Sequence, residues 1–252
     1  MRTSGATRTR RRSACLAVGF TVATACSGAD APAPDPHSID GVMELVDQHD
    51  LRSVAELLEL LPQRQLASFV LMKESGSRHL ASPEYPRVIT YGSDPRFMLA
   101  YSGHPDDANY EVIEMAELDR HSGRWRFREL SFTDGIATLS VDDTACQACH
   151  GNPVRPIWQS FPVWEGAVGE LRSELTQEDV DLVRALTEAP DDDPRYGRLE
   201  FQDPDTLEVG AQFTLPGRAF GLTNSALNID LSSAVAHGLL LRIREHPNFE
   251  AQ

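Results

Sequence analysis

The chain of 252 residues has a single lysine, Lys73, and no methionine after Met115. It has no apolar run of the roughly 20 residues that a membrane-spanning helix needs. It shows no H-E-x-x-H pair, no phosphate-binding glycine loop and no Ser-His-Asp arrangement, so hydrolase chemistry has no motif behind it. No internal repeat is visible. Basic groups are scarce: 23 Lys+Arg face 38 Asp+Glu, for a formal charge of −15. Five arginines (Arg2, Arg8, Arg10, Arg11, Arg12) lie in residues 1–25, which hold no acid, so the remainder carries 18 basic against 38 acidic groups, a balance of −20. Such a surface repels nucleic acid and anionic headgroups, and a lone lysine forms no polybasic patch. Nucleic acid is therefore set aside as a partner. What remains, 41% hydrophobic and 24% charged, is ordinary globular composition with enough length for one sizeable core.

Residues 1–25 read as an address. A basic start is followed by Ala14 to Ala25, an apolar stretch of signal-peptide length and too short to span a membrane. Small residues then precede Cys26 (Ala23-Thr24-Ala25-Cys26-Ser27-Gly28), an arrangement similar to a lipoprotein signal, in which that cysteine becomes the lipidated first residue. Ala23 stands where such boxes usually carry Leu, and simple cleavage after Ala25 is the alternative. Either way the expectation is export, to the periplasm or as an outer-membrane lipoprotein. A lipid on Cys26 would be the membrane contact, and residues 26–38, rich in Pro and Ala, would be its tether.

Residues 39–252 are expected to form one α+β domain: N-terminal helices, a central antiparallel sheet over about 85–132, a haem-binding loop segment over 146–169, and C-terminal helices. Ser53 and Glu56 have capping-box spacing ahead of Leu57, Leu58, Leu60 and Leu61. Pro62 suits the first turn of a second helix, over roughly 62–72. From residue 87 the hydrophobic period shortens to two. RVITY (87–91) with RFMLAY (96–101), and YEVIEMAEL (110–118) with WRFREL (125–130), read as two hairpins. Glu114 and Glu117 are placed to oppose Arg126 and Arg128 across the second. Thr176 with Asp179 predicts a helix start, running to about Ala189. Residues 190–219 look irregular. In the last helix, from about Ser225, the four-residue recurrence of Leu227, Leu231, Val235, Leu239 and Ile243 predicts one buried face.

The chemistry concentrates at Cys146-Gln147-Ala148-Cys149-His150. C-x-x-C-H is the attachment pattern of c-type haem. Two thiols three positions apart reach the two vinyl groups of one haem, and the adjacent imidazole reaches its iron as the proximal ligand. Such attachment takes place outside the cytoplasm, in agreement with the export signal. Three other uses of the cysteines stay open. They could form a Cys146–Cys149 disulfide. A thioredoxin-like pair would need a βαβ context, which is not seen here. Zinc would need more ligands than Cys15 and Cys26 can provide from their positions.

The longer run CQACHGNPVRPIWQSFPVWEGAVG (146–169) resembles a group of exported bacterial proteins. They carry C-x-x-C-H-G, then R-P-x-W, an aromatic-Pro-x-Trp and Gly-x-x-Gly. The matching residues here are Cys146, Cys149, His150, Gly151, Arg155, Pro156, Trp158, Phe161, Pro162, Trp164, Gly166 and Gly169. The likeness extends upstream to Arg87, Glu111 to Glu114 and Phe127 to Phe132, with an echo at Leu227-Asn228. It implies a haem protein of the c type without naming an activity.

The sequence departs from small helical cytochromes, whose motif lies in the first helix with a ligating Met downstream. Here no Met follows the motif: Met98 and Met115 upstream and the imidazoles of His237 and His246 downstream are the side chains considered for the sixth position, none is singled out, and a five-coordinate or water-ligated iron stays open. Arg155 and Trp158 are candidate haem-binding residues, since a guanidinium pairs with a propionate and an indole N–H donates to one. The leading expectation is a mono-haem electron carrier, not an enzyme, with a redox protein or a haem ligand as partner. A haem enzyme or gas sensor with open iron, and a non-haem binding lipoprotein, are the alternatives.

Overall fold

The computed structural model describes residues 36–119, 121–156, 163–218 and 222–249. The expected export signal, Cys26 and Trp158 therefore lie outside the described residues. The elements below all belong to one unit within residues 34–252.

Side-chain capping opens the first two helices, the second at the Ser53 expected from the sequence. The Ser38 oxygen accepts the Gly41 N–H and opens α1 (Ile39–His49), whose stripe Ile39, Val42, Leu45 and Val46 is buried. The Ser53 oxygen accepts the Glu56 N–H and opens α2 (Val54–Leu60), while the Glu56 carboxylate accepts the Arg52 N–H. The helix expected over 62–72 is a correction. Helix α3 covers only Gln63–Leu66, and Phe69–Met72 is strand β1. A four-residue apolar run fits either state by pattern, and here the pairing partner decides. Phe69 opposite Thr90 through Met72 opposite Arg87 gives the segment a ladder that a short helix lacks.

Strands β1, β2 (Arg87–Thr90), β3 (Phe97–Tyr101), β4 (Val112–Leu118), β5 (Trp125–Thr133) and β6 (Ile136–Leu139) form one antiparallel meander in sequence order. The sheet is therefore wider than 85–132 at both ends. The last hairpin turns on Asp134-Gly135, both at positive φ (52° and 72°), with Thr133 paired to Ile136. That is the two-residue Asp-Gly connection whose twist matches the strands. With helices beside a six-stranded antiparallel sheet, the architecture is α+β.

Register assigns the sheet's two faces. One carries Phe69, Leu71, Val88, Thr90, Leu99, Tyr101, Ile113 and Met115, all buried. Helix α1 lies on this side: the Ile39 N–H donates to Glu117, which bonds Arg126 at 2.8 Å, as the strand pairing predicts. Residues 190–215 also lie here, with the Phe69 ring edge-on to Phe201 and Phe213 and the Tyr101 hydroxyl donating to the Arg195 carbonyl. The other face carries Met72, Arg87, Ile89, Met98, Ala100, Glu114, Ala116, Phe127 and Glu129.

Helix α4 (Thr144–His150) stands where the start of an irregular haem segment was expected. Helix α5 (Gln177–Thr187) begins with the predicted capping box: Thr176 and Asp179 each accept the other's backbone N–H. The fully buried Asp179 also receives Lys73 Nζ at 2.8 Å, so the only lysine ties the end of β1 to α5. A 3-10 turn (Pro204–Thr206) precedes helix α6 (Thr223–Glu245). The single buried face expected for α6 holds only in its first half. Leu227 and Leu231 are buried, Val235 is half-buried, and Leu239 and Ile243 are exposed. The helix continues beyond the sheet, so later turns of the same stripe meet water. Among the described residues, no helix is long and apolar enough to cross a membrane.

Candidate functional site

Helix α4 places the motif residues together. Cys146 and Cys149 are three positions apart and so share a helix face. Both are free thiols, Cys146 half-buried and Cys149 exposed. Burial pushes the Cys146 thiol up to about 11, with Glu129, Glu114 and Asp143 acting the same way and Arg128 opposing. It is a poor thiolate nucleophile at neutral pH, unlike the depressed cysteines of thioredoxin-type redox pairs. None of α4's seven residues is buried, so the helix is a flap on the body and not part of its core.

His150 ends that helix. Gly151 follows at φ +77°, a conformation that L side chains rarely adopt, and turns the chain back so that Arg155 reaches the ring. The His150 Nδ1 lies 2.9 Å from the Arg155 carbonyl oxygen. A carbonyl only accepts, so Nδ1 is the donor here, and in the neutral ring that tautomer leaves the lone pair on Nε2. The other side of the imidazole meets the Phe127 ring, with centroids 4.4 Å apart. Backbone and sheet thus orient a nitrogen donor by the contacts that usually prepare a metal-ligating histidine.

Cys146, Cys149 and His150 border a cavity of about 620 Å³. Its volume is that of a pocket for an organic cofactor. The floor is the second sheet face. Ala116 stands between Met98 on β3 and Phe127 on β5 in one cross-strand row, and Ala100 and Ile89 lie in the next row. Two alanines mid-sheet leave a shallow bed between larger side chains. Trp164 and the α6 residues Leu227 and Leu231 complete the apolar lining. Asn224 fixes that helix in place, its amide donating to the carbonyls of Val168 and Gly169. Part of the wall is polar: Arg87 bonds Glu114 at 2.5 Å, and Arg78 bonds both oxygens of Glu129 at 2.7 and 2.8 Å.

The other sequence candidates are divided. Met98 faces the cavity from β3. Met115 also borders it, but it opposes Leu99 and Arg128, so the register turns its side chain to the opposite face. Met72, which the motif analysis did not single out, shares a face with Arg87 and also borders the cavity. His237 is exposed and does not border it. The Arg155 side chain is exposed and borders a second hollow of about 630 Å³, together with Arg124, Trp125 and Arg242; Pro156 borders both spaces. Its contribution at the first cavity is its carbonyl oxygen. Trp158 and Cys26 lie outside the described residues, so their assigned roles rest on sequence.

Sequence reasoning gave no role to Arg78 or to the buried His79, and named Arg87 only within the resemblance. No local pattern marks a loop residue such as His79 that tertiary packing buries. Among the described residues, no group of three or more His, Cys, Asp or Glu side chains converges as a metal-ion site. No family model matches the chain, and neither a curated protein nor a solved structure matches it.

Proposed function

We propose that the chain is an exported c-type cytochrome that carries one haem, held covalently by Cys146 and Cys149, and passes single electrons to a partner protein. The observation that carries this reading is the C-x-x-C-H helix at the rim of a 620 Å³ cavity, with His150 Nδ1 bonded to the Arg155 carbonyl. The residues fit the group. Both thiols and the imidazole border the same space, and Nε2 of His150 is the donor left for iron. The bed over Ala100 and Ala116 suits a flat ring. The group would bring most of the iron's donors with it, so one or two protein donors would suffice.

When bound, the haem supplies an iron that cycles between Fe(II) and Fe(III), at a potential set by axial ligation and burial. The chain's own groups do the rest. Cys146 and Cys149 would hold the group through their sulfurs. His150 would offer its imidazole to the iron, and the hydrogen bond to Arg155 would make it a stronger donor. Met98, on the face it shares with Phe127, would offer a thioether as a second protein donor to the iron. Arg78 and Arg87, which border this cavity as Arg128 does, would be available to haem carboxylates, alongside the roles read for Arg155 and Trp158. Leu227, Leu231 and Trp164 exclude water from the ring. A lipid on Cys26 would keep the domain at a membrane surface while the tether lets it reach partners.

The polar wall at Glu114 and Arg87 favours a second reading, a haem enzyme or gas sensor with an open sixth position. The test begins with protein made in a host with haem-maturation machinery. A pyridine haemochrome spectrum of the c type is expected, and colourless protein would exclude both readings. Carbon monoxide added to the reduced protein then separates them. Weak binding that becomes strong in Met98→Ala supports the electron carrier, whereas ready binding by the wild type supports the open site.

A further inference from the structure

Behind the cavity's polar wall lies a buried titratable chain that cofactor attachment does not use. Glu114 borders the cavity, and its Oε2 lies 3.8 Å from Nε2 of His79. His79 is 2% exposed. Its Nδ1 is 3.3 Å from Oδ2 of Asp107, which is 6% exposed. Asp107 also accepts the backbone N–H groups of Leu80 and Asn109, each at 2.8 Å. Burial opposes the charge on Asp107, but the Asn109 N–H, the Ser102 hydroxyl, the Leu80 N–H and His79 together hold its carboxyl below the usual range. An ionised carboxylate only accepts, so Nδ1 of His79 carries the ring proton and Nε2 presents a lone pair. Among the described residues that buried Nε2 has no hydrogen-bond partner, and neither has Nε of Arg87. An unsatisfied base facing a carboxylate on a cavity wall calls for an explanation.

We propose that His79, backed by Asp107 and linked to the cavity by Glu114, is a proton-uptake site that binds one proton when the cavity's cofactor gains one electron. This rests on the cavity being a haem site. The step balances simply. A one-electron donor protein supplies the electron, solvent supplies the proton, and an N–H bond forms at Nε2. No bond to carbon is made or broken, and the net charge of the buried region is unchanged. The new N–H donates toward Glu114 Oε2, pairing the nitrogen that lacked a partner.

The charged groups around His79 set the direction. Burial lowers its pKa, Glu114 and Asp107 raise it, and Arg87 lowers it; the net result is below the ordinary value. The ring is therefore neutral at pH 7 before reduction. An electron added next door raises its proton affinity, because a buried region screens the attraction poorly. By linkage, the proton raises the affinity for the electron by the same factor.

The experiment is a spectroelectrochemical titration of the haem-loaded protein from pH 5 to 9. Electron affinity should fall tenfold per pH unit over part of this range, equivalent to 59 mV for a one-electron couple. His79→Gln should flatten the dependence. Glu114→Gln removes an attracting charge, so it should move the sloping window to lower pH; it decides the matter should His79→Gln fail to fold. A coloured wild type with a flat potential overturns the proposal alone, as does a slope unchanged in the folded His79→Gln variant or a window unmoved by Glu114→Gln. Colourless wild-type protein overturns the haem reading, and this one with it.

Discussion

Ala116→Phe distinguishes a built cavity from ordinary core packing. Ala116 is buried, yet its methyl group sits in the cavity bed, one strand from Met98 on one side and one strand from Phe127 on the other. Were it packed as closely as core alanines usually are, the larger ring would force neighbours aside at a cost of about 1–3 kcal/mol. With 620 Å³ of space lined by Ile89, Trp164, Leu227 and Leu231, the ring instead leaves water without displacing anything. Full burial of a Phe is worth about 1.5–3 kcal/mol, so a net gain of about 1–2 kcal/mol remains after loss of rotamer freedom. For a domain of this size that raises the melting temperature by about 2–8 °C. The assay is calorimetry on protein made without haem maturation, paired with haem content after maturation. The unmatured variant should melt higher than wild type, and the matured variant should carry little haem. A lower melting temperature, or wild-type haem content, would refute the reasoning.

Three further outcomes follow from other parts of the structure. Asp179→Ala removes the α5 capping box and leaves Lys73 with Glu178 alone at 3.2 Å; the cost should be about 3 kcal/mol, read as a fall of about 6–12 °C in melting temperature. His79 has its pKa lowered in the folded state from 6.5. The unfolded chain therefore binds the extra proton first, and stability should decline as pH falls below about 6.5; a urea-unfolding series should show this decline in wild type and its absence in His79→Gln, while Asp107 would contribute only below about 4. Expressed with its own leader, the protein should fractionate with membranes, and Cys26→Ser should release it or block processing; equal solubility of the two forms would assign the leader to simple cleavage.

Legibility followed range. Capping at Ser53 and Thr176 was readable because donor and acceptor lie three residues apart. Alternation over 110–130 revealed the strands and the Glu117–Arg126 pair, since a period of two fixes which residues share a face. Glu114 opposes Glu129 and bonds Arg87 from the neighbouring strand pair, which no hairpin pattern specifies. Strand β1 was misread because FVLM is too short to show a period. Strand β6 did have a signal, the Asp134-Gly135 turn, which outweighs the weak alternation of Ile136–Leu139. The cysteine spacing exposed the candidate site, but its size did not show, as the cavity is assembled from five strands and α6. His79 and Asp107 were the least legible, being 28 residues apart and joined only by the fold.

The central claim is a covalent haem on Cys146 and Cys149, and intact mass under denaturing conditions tests it most directly. Protein from a maturation-competent host should be heavier than the processed polypeptide by one haem and keep its Soret absorbance when unfolded. Cys146→Ala with Cys149→Ala should lose both. A wild-type mass equal to that of the polypeptide alone, or lighter by two hydrogens as a Cys146–Cys149 disulfide requires, would contradict the account.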